Sequence, residues 1–362
     1  MKIKIVGWAG VNHSYSIAGE LYAKGLLMNP SNQLFFTPFP FYNPNWKKSR
    51  SSLFDSMKKP PKAVDVTFRV TYPYDLEPDP HAHITMVFMT CEFNVVSDPI
   101  KTQLAKSVWI VTPSEYSKKG IVTTGVDANH ILVVPHCYEY QPCRLTSDEI
   151  KGKLGIPKED KVFFHNSALT GNKNLSDLLQ AFEQVYRHHP QVSLLIKGLD
   201  NTYQSCRAFN ETKKVIQCQL QLTGESKIYY QGQDATEEQM SEYYHVCDCY
   251  VSPFLAEGFN LPVLEALCHG KEVICTRGGP PDEFAPDAHF IQSKVVTTGQ
   301  FFWNGTQKTC LVPDLPNLYQ LMLDQVTGET HPPIDVTRYR QQYSCQTIGK
   351  RLEETFQIHL GA

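Results

Sequence analysis

The segment SPFLAEGFNLPVLEALCHG, from Ser252 to Gly270, is the most informative part of the chain. An apolar run comes before it, a glycine-containing loop follows Ser252, and Pro262 stands where a helix would begin. Gly270 is placed to end that helix, because glycine is common just beyond a helix C-terminus. The pattern therefore predicts a strand, then a loop, then a short helix between Pro262 and Gly270.

Two carboxylates lie eight positions apart in this segment. Glu265 is the single charge on an apolar helix, which predicts burial, and we place it in the first turn, where free N–H groups attract anions. Glu257 lies on the preceding loop, so the pair could flank a ligand with phosphates on backbone amides and diols on carboxylates. A nucleotide sugar has that chemistry. The same two residues also fit a solvated Glu257 and an ordinary helix acid. The predicted phosphate-binding amides are those of Gly258, Phe259, Asn260 and Leu261.

The segment resembles the Glu-x7-Glu signature of the retaining family 4 glycosyltransferases, with Asn260 in place of the usual glycine. Further similarity lies in residues 228–232 and 273–283, so that about 160–290 resembles the family strongly and the N-terminal half more loosely. The resemblance implies that Glu257 approaches the hydroxyls of the donor sugar and that Glu265 binds the ribose.

Lys173 follows a predicted strand and opens an amphipathic helix. In the family an arginine precedes this lysine, and both contact the donor diphosphate. Here Asn166, Ser167 and Ala168 are all neutral. The resemblance therefore implies that Lys173 carries the positive charge nearly alone, with Ser167 as a hydrogen-bonding helper.

The N-terminal half carries weaker candidates. Gly10 and His13 lie in a loop between the first predicted strand and helix, which in the resembling family lies across the cleft from the donor phosphates. The resemblance therefore makes Gly10 a candidate for donor binding and His13 a weaker candidate for acceptor contact, while an ordinary turn with a solvated histidine fits them equally well. This loop lacks the GxGxxG pattern of dinucleotide-binding dehydrogenases. Glu92 follows the predicted strand 84–89, at the strand end where ligands gather in open α/β sheets. Many family members have a histidine near this point, whereas this chain has Cys91 and Glu92.

Composition excludes several classes of partner. The chain has 362 residues, 41% hydrophobic and 20% charged, with a net charge of -3, which gives no electrostatic reason to bind nucleic acid. Its 11 cysteines, an odd number, show no disulfide framework or zinc spacing. No apolar run reaches the roughly 18 residues of a membrane span, although peripheral contact with a membrane stays open. We expect a cytoplasmic protein.

We predict an α/β protein of the GT-B type, with two Rossmann-like domains facing across a cleft. Residues 1–140 form the N-terminal, acceptor-side domain, and a C-terminal helix at 343–362 could complete it. Residues 141–160 are a predicted linker, and 161–342 form the domain that binds the nucleotide sugar.

The resemblance implies transfer of a sugar from a nucleotide diphosphate sugar to an acceptor hydroxyl, with retention at the anomeric carbon. We expect no metal and no cofactor, since the sequence contains no Asp-x-Asp. UDP and GDP are not distinguishable as donor nucleotides, and a glycan, lipid or protein could be the acceptor. The alternatives are a nucleotide-sugar epimerase or phosphorylase on the same fold, or a non-catalytic carbohydrate-binding protein.

Overall fold

The computed structural model describes residues 1–96, 108–222, 224–301, 305–328 and 333–361. The chain divides into two compact units. The first unit comprises Met1–Glu139, Thr297–Thr309 and Arg340–Ala362, and the second comprises Tyr140–Val296 and Cys310–Tyr339. Ala362, the last residue of the predicted helix 343–362, lies outside the described residues.

The first unit is built on a parallel six-stranded sheet. Its strands, in the order β2-β1-β3-β4-β5-β6, are β1 (Lys2–Gly7), β2 (Gln33–Pro38), β3 (Val64–Val70), β4 (Ala82–Phe88), β5 (Trp109–Thr112) and β6 (Ile131–Val133). Its helices include α1 (Ser14–Leu27) and α2 (Glu115–Val122), with short 3-10 turns at Leu53–Ser56 and Ala128–His130. The strands are apolar because helices cover both faces of a parallel sheet.

The second unit contains another parallel six-stranded sheet, β7 to β12. Its strands, in the order β12-β11-β10-β7-β8-β9, are β7 (Lys161–Asn166), β8 (Val192–Lys197), β9 (Ile228–Gln231), β10 (Cys249–Ser252), β11 (Glu272–Thr276) and β12 (His289–Ile291). This is the strand order of a dinucleotide-binding fold, and the direction of winding reverses between β7 and β10.

Helices surround this second sheet. They are α3 (Ser147–Leu154), α4 (Leu175–His188), α5 (Asp200–Tyr203), α6 (Ser205–Gln219), α7 (Glu237–Val246), α8 (Leu261–Cys268), α9 (Pro281–Phe284), α10 (Leu315–Thr327) and α11 (Val336–Gln342), with a 3-10 turn at Gly171–Lys173. The apolar stripe of α4, including Leu178 and Phe182, packs against Leu194 and Ile196 of β8 in one buried core. This is the burial that an amphipathic helix pattern predicts.

Two further elements complete the chain. The strands β13 (Ser293–Phe301) and β14 (Gln307–Pro313) pair with each other in a small separate sheet. The helix α12 (Cys345–Leu360) packs on α1 in the first unit. Gly25 and Gly349 lie where these two helices meet, and an added Cβ at Gly349 would lie 2.4 Å from the carbonyl carbon of Gly25. The backbones of the two helices are therefore in direct contact.

The predicted linker 141–160 differs from the structure in one respect. Residues 147–154 form α3, which packs on α7 within the second unit. The helix starts there because the Thr146 side chain accepts from the Glu149 N–H while the Glu149 carboxylate accepts from the Thr146 N–H. The polar composition that suggested a linker belongs to the solvent-facing side of this short helix.

Candidate functional site

The site of interest lies where the winding of the second sheet reverses. The strands β7 and β10 are neighbours, with Phe163 opposite Cys249 and Phe164 opposite Tyr250. Because they are parallel, the loops that follow them leave from the same sheet edge. Ligands of open α/β sheets bind at such a point. The loop after β7 leads to Lys173, and the loop after β10 contains Glu257.

Asn172 connects these two loops. Its backbone carbonyl accepts a hydrogen bond from the Leu255 N–H at 2.8 Å, and its side-chain amide donates to the Ala256 carbonyl at 3.0 Å. The Thr170 hydroxyl donates to the side-chain oxygen of Asn172 at 2.7 Å. These bonds fix the 3-10 turn before α4 against the loop before α8.

The connection brings the side chains of Lys173 and Glu257 together. Lys173 Nζ lies 2.8 Å from Glu257 Oε1, and the two side chains are only 15% and 12% exposed. A pair at this depth is screened less than a surface pair and holds both charges in place. The sequence prediction that both residues belong to one site is consistent with this geometry, but it did not foresee that they form an ion pair.

The turn into α8 explains why asparagine replaces glycine at position 260. Asn260 has φ 70° and ψ 62°, which is left-handed backbone, and its side chain donates to the Ser252 hydroxyl at 2.9 Å. Asparagine is one of the few residues other than glycine that adopts this conformation readily. The predicted helix limits are nearly correct: α8 begins at Leu261, with Pro262 in its first turn, and Gly270 beyond its end has φ 69°.

The position of Glu265 differs from the prediction. Because α8 begins at Leu261, Glu265 is the fifth helical residue and lies in the second turn, beyond the free N–H groups of the first turn. Its carboxylate is instead bound by a tyrosine: the Tyr244 hydroxyl on α7 donates to Glu265 Oε2 at 2.5 Å. Burial raises the pKa of Glu265 to about 7, and the hydrogen bond from Tyr244 opposes that rise.

Backbone amides at the start of α8 complete the arrangement. Within the described residues, the N–H groups of Asn260 and Leu261 make no hydrogen bond to the protein. The ring of Phe259 is buried and stacks on Phe284 of α9 at 4.6 Å between centroids, so its side chain serves packing. Gly258, the other predicted amide donor, lies in the same loop.

The hydroxyl of Ser167 is already engaged within the protein. His165 is buried, which lowers its pKa to about 4, so its ring is neutral near pH 7. Its Nδ1 lies 2.7 Å from the Val251 carbonyl and must carry the proton, which leaves Nε2 to accept from Ser167 Oγ at 2.8 Å. Ser167 Oγ also accepts from the Leu169 N–H at 3.1 Å. Ser167 thus shapes the loop, and its role as a phosphate donor stays a prediction.

The first unit holds the remaining candidates. Gly10 has φ 70°, and its carbonyl accepts from the backbone of Ser49 and Arg50 at 2.8 and 3.1 Å. His13 caps α1: its Nδ1 accepts from the Tyr15 N–H at 3.2 Å, and burial lowers its pKa to about 4. In the structure, therefore, both residues help to build the loop after β1.

Glu92 lies beyond the carboxyl end of β4 and is half-buried. The pKa of Tyr15 is raised chiefly by burial, with further contributions that include the neighbouring hydroxyl of Tyr74 and the charge of Glu92. The Tyr15 and Tyr74 hydroxyls lie 2.9 Å apart. The charge of Glu92 therefore acts on the Tyr15 hydroxyl, and Glu92 follows the end of β4, as the sequence analysis expected.

Sequence analysis did not identify Tyr244, Asn172 or His165. Tyr244 is 21 positions from Glu265 and belongs to another helix, so no local spacing connects them. Asn172 looks like an ordinary turn residue, and His165 lies within the buried strand β7, one residue before its end. Of the three, only Asn172 had a signal in the sequence, because it is a polar residue directly before the predicted site residue Lys173.

Two negative findings concern the described residues only. None of the helices there is long and apolar enough to cross a membrane. In the same ranges, no group of three or more His, Cys, Asp or Glu side chains is arranged to hold a metal ion.

Residues 146–298 match the family model described as glycosyl transferases group 1. The chain is 26% identical over 181 residues to a lipopolysaccharide 1,2-N-acetylglucosaminetransferase of Salmonella typhimurium, an alignment that covers 49% of this chain and 46% of that protein. It is 30% identical over 132 residues to an alpha-monoglucosyldiacylglycerol synthase of Streptococcus pneumoniae, covering 36% of this chain and 27% of the relative. The matched regions therefore span less than half the length of these curated relatives.

Solved structures resemble the whole chain. A crystal structure of Anabaena HepE in complex with UDP and glucose superposes with a TM-score of 0.67 at 13% identity, covering 99% of both chains. A glycosyltransferase from Rickettsia africae superposes with a TM-score of 0.70 at 13% identity, covering 99% of this chain and 98% of the other. At such identities the likeness concerns the fold. The chain has the GT-B fold of two α/β units, and its region 146–298 is similar in sequence to the glycosyl transferases group 1.

Proposed function

We propose that this protein is a glycosyltransferase that moves a sugar from a nucleotide diphosphate sugar to an acceptor hydroxyl, with retention of the anomeric configuration and without a metal ion. The observation that carries the proposal is the Lys173–Glu257 ion pair, which the Asn172 bonds hold at the point where the second sheet reverses its winding. This pair lies within the region that matches the family model.

The charges of the site suit such a donor. A diphosphate needs positive charge and N–H donors, which Lys173 and the amides of Asn260 and Leu261 can supply. Sugar hydroxyls need acceptors, and the carboxylates of Glu257 and Glu265 are strong ones. We assign Lys173 to the leaving diphosphate, Glu257 to the donor sugar and Glu265 to the ribose.

Retention is part of the proposal because the two carboxylates match the Glu-x7-Glu pattern of retaining enzymes. In the proposed step the bond between the anomeric carbon and the phosphate oxygen breaks, and the acceptor oxygen bonds to the same face of that carbon. The acceptor proton passes to the departing phosphate oxygen, so that the products are the glycoside and the nucleoside diphosphate. Lys173 stabilises the charge that grows on the leaving group.

UDP is the nucleotide to test first, because Anabaena HepE and a pneumococcal O-GlcNAc transferase, two of the solved structures with a similar fold, are complexes with UDP. Thermal-shift assays with UDP-, GDP- and ADP-sugars would identify the donor, since a ligand at 100 times its Kd stabilises a protein by about 2.7 kcal/mol. Failure of all three classes to stabilise the protein would contradict the proposal.

Product analysis by NMR then distinguishes the alternatives. Transfer to a sugar acceptor should give a glycoside with the anomeric configuration of the donor, in the presence of excess EDTA. An isomerised nucleotide sugar would indicate an epimerase, a sugar phosphate would indicate a phosphorylase, and binding without any product would indicate a carbohydrate-binding protein. An inverted glycoside, or a requirement for magnesium or manganese, would refute the corresponding part of the proposal.

A further inference from the structure

The hydroxyl of Tyr244 lies among three polar groups: the Glu265 carboxylate, the Asn166 side-chain amide and, at the longer distance of 3.5 Å, the Pro262 carbonyl. Its side chain is fully buried, with its ring 5.2 Å from that of Phe164. The hydroxyl donates to Glu265 Oε2 at 2.5 Å and accepts from the Asn166 amide at 3.4 Å. These contacts leave the ring little freedom, and they fix one oxygen of the Glu265 carboxylate.

The other carboxylate oxygen is in a different situation. Within the described residues, Glu265 Oε1 receives no hydrogen bond, and no lysine, arginine or histidine lies within 4.0 Å of the carboxylate. Glu265 itself is only half-buried, so Oε1 can reach a ligand. Among the described side chains, the ionised form of Glu265 is therefore stabilised by one neutral donor, the Tyr244 hydroxyl.

We propose that Tyr244 is the positioning residue of Glu265: its hydroxyl holds Oε2, turns Oε1 toward the hydroxyls of a bound nucleotide, and keeps the carboxylate in its ionised, accepting form. This inference rests on the proposed function, which assigns Glu265 to the ribose. It makes nucleotide binding depend on pH near neutrality, through a residue that does not touch the ligand.

The direction of that dependence follows from the geometry. Burial raises the pKa of Glu265 to about 7, while the Tyr244 bond stabilises the ionised form and acts against burial. Replacing Tyr244 by phenylalanine removes that donor, so the pKa of Glu265 should rise further. A hydrogen bond to a charged group is strong enough to move the midpoint by about one pH unit or more.

Other titratable groups lie at the end of α8 and on the strands that pack against it, β10 and β11. From β10, the Tyr250 hydroxyl donates to the Asn166 carbonyl at 3.1 Å, and its pKa is raised chiefly by burial, with Glu257 and Glu265 adding to the rise. From the end of α8, the His269 ring stacks on Tyr244 at 5.2 Å between centroids. On β11, Glu272 pairs with His289, and burial raises the pKa of the Cys275 thiol.

The first experiment measures the carboxylate without any ligand. In protein labelled with ¹³C at the glutamate carboxyl carbons, the signal that disappears in Glu265→Gln identifies Glu265, and its chemical shift is followed with pH. We expect a midpoint near 7 in the parent and a midpoint higher by about one unit or more in Tyr244→Phe. Tyr243→Phe is the matched control, because this neighbouring tyrosine of α7 makes its ring contact with Phe164 rather than with Glu265. Equal midpoints in parent and Tyr244→Phe would overturn the proposal.

Full replacement of tyrosine by 3-fluorotyrosine keeps the inference testable if Tyr244→Phe does not fold. Fluorine makes the phenol a stronger donor with little change in shape, so the Glu265 midpoint should fall. An unchanged or higher midpoint would contradict the role of the Tyr244 hydroxyl.

The second experiment connects the carboxylate to binding. Calorimetry with UDP should show that the affinity begins to fall at a higher pH in Tyr244→Phe than in the parent. At pH 7 the affinity should be roughly fivefold lower, because moving the midpoint from about 7 to about 8 reduces the ionised fraction of Glu265 from about one half to about one tenth. In a Glu265→Gln background, Tyr244→Phe should have no further effect on affinity. Additive losses would mean that Tyr244 has only a structural role.

The two proposals fail in different ways. Failure of UDP and of the other nucleoside diphosphates to bind the parent would refute the proposed function. A midpoint shift without any change in UDP affinity would refute only the inferred link between the Glu265 carboxylate and nucleotide binding.

Discussion

Lys173 and Glu257 neutralise each other, at 2.8 Å and with little exposure of either side chain. In the proposed function a bound diphosphate sugar would give both residues further partners, phosphate oxygens for the lysine and hydroxyls for the carboxylate. The Asn172 bonds hold the two loops that carry the pair, and such fixed charges lower the cost of arranging charge in the reaction. Substitution of either residue must be interpreted together with its partner.

Lys173→Ala should lower kcat/KM by about 10²–10³, the typical effect of removing one preorganised group that stabilises developing charge. The physical reason is that Asn166, Ser167 and Ala168 offer no second cation beside the departing diphosphate. Steady-state kinetics measures the effect, with Lys153→Ala as a control because that lysine is exposed and pairs with Glu242.

Loss of Lys173 also leaves Glu257 without its ion-pair partner, so a second variant is needed. Lys173→Ala combined with Glu257→Gln removes both charges, and we expect it to be no more active than Lys173→Ala. Recovery of activity would mean that the unpaired Glu257 caused the loss. Ala168→Arg in the Lys173→Ala background should restore part of the rate, since Ala168, unlike Ser167, has no side-chain hydrogen bond to lose.

Glu265→Gln should stabilise the protein at about pH 8 and leave its stability unchanged at about pH 4. The folded-state pKa is about 7 against a usual 4.5, so as pH rises through this window the unfolded chain ionises first and stability falls. Above pH 7 the full penalty applies, and glutamine removes it, a gain of up to about 3 kcal/mol. Chemical denaturation at the two pH values measures it. A gain of equal size at both values would mean that burial of the charge is not its cause.

The elements that sequence analysis predicted best are those with an apolar run and a clear end. The strand predicted at 84–89 overlaps β4 (Ala82–Phe88), and α8 was predicted from Pro262 and Gly270 with a start one residue late. That single residue moved Glu265 out of the first turn, and helix limits are the feature that local sequence patterns predict least well. The paired strands β13 and β14 were not predicted.

The candidate site residues named from the sequence came from one segment, 252–270, and from the family resemblance that added Lys173. Glu257 and Glu265 share a motif, whereas the Tyr244 and Asn172 contacts depend on how α7 and the turn before α4 pack against it. Such contacts depend on tertiary packing, and the spacing of residues along the chain does not predict them.

The crossing of α1 and α12 leads to a prediction about stability. Gly349→Ala should destabilise the protein by about 1–3 kcal/mol, because the new Cβ would lie 2.4 Å from the backbone of Gly25, which cannot move aside as a side chain could. Denaturant unfolding measures the loss. Gly152→Ala is the control: it lies inside α3 with nothing within 4 Å of an added Cβ, so it should stabilise by about 0.5–1 kcal/mol. A harmless Gly349→Ala would mean that the helices do not meet through their backbones.

On the scale of the whole molecule, the candidate residues divide between the two units. Lys173, Glu257 and Glu265 belong to the second unit, and Glu92 belongs to the first. The second unit has the strand order of a dinucleotide-binding fold and the residues proposed to bind the nucleotide sugar. The proposed function therefore assigns donor binding to one unit and leaves the chemistry of the first unit to be tested separately.

The variant Glu92→Gln tests whether the first unit contributes to the reaction without binding the nucleotide. Glu92 lies beyond the carboxyl end of β4, near enough to Tyr15 for its charge to raise the pKa of that hydroxyl, in the unit that contains none of Lys173, Glu257 and Glu265. If its carboxylate contacts the reacting sugar or the acceptor, the variant should keep the parent affinity for UDP while kcat falls about tenfold or more, because an interaction made in the transition state affects turnover and not ground-state binding. Calorimetry with UDP and steady-state kinetics on one preparation measure both quantities, with Glu77→Gln, an exposed acid of the same unit, as the control.

Equal turnover in Glu92→Gln and parent would make Glu92 an ordinary loop acid. Loss of UDP affinity would instead show that the first unit takes part in donor binding.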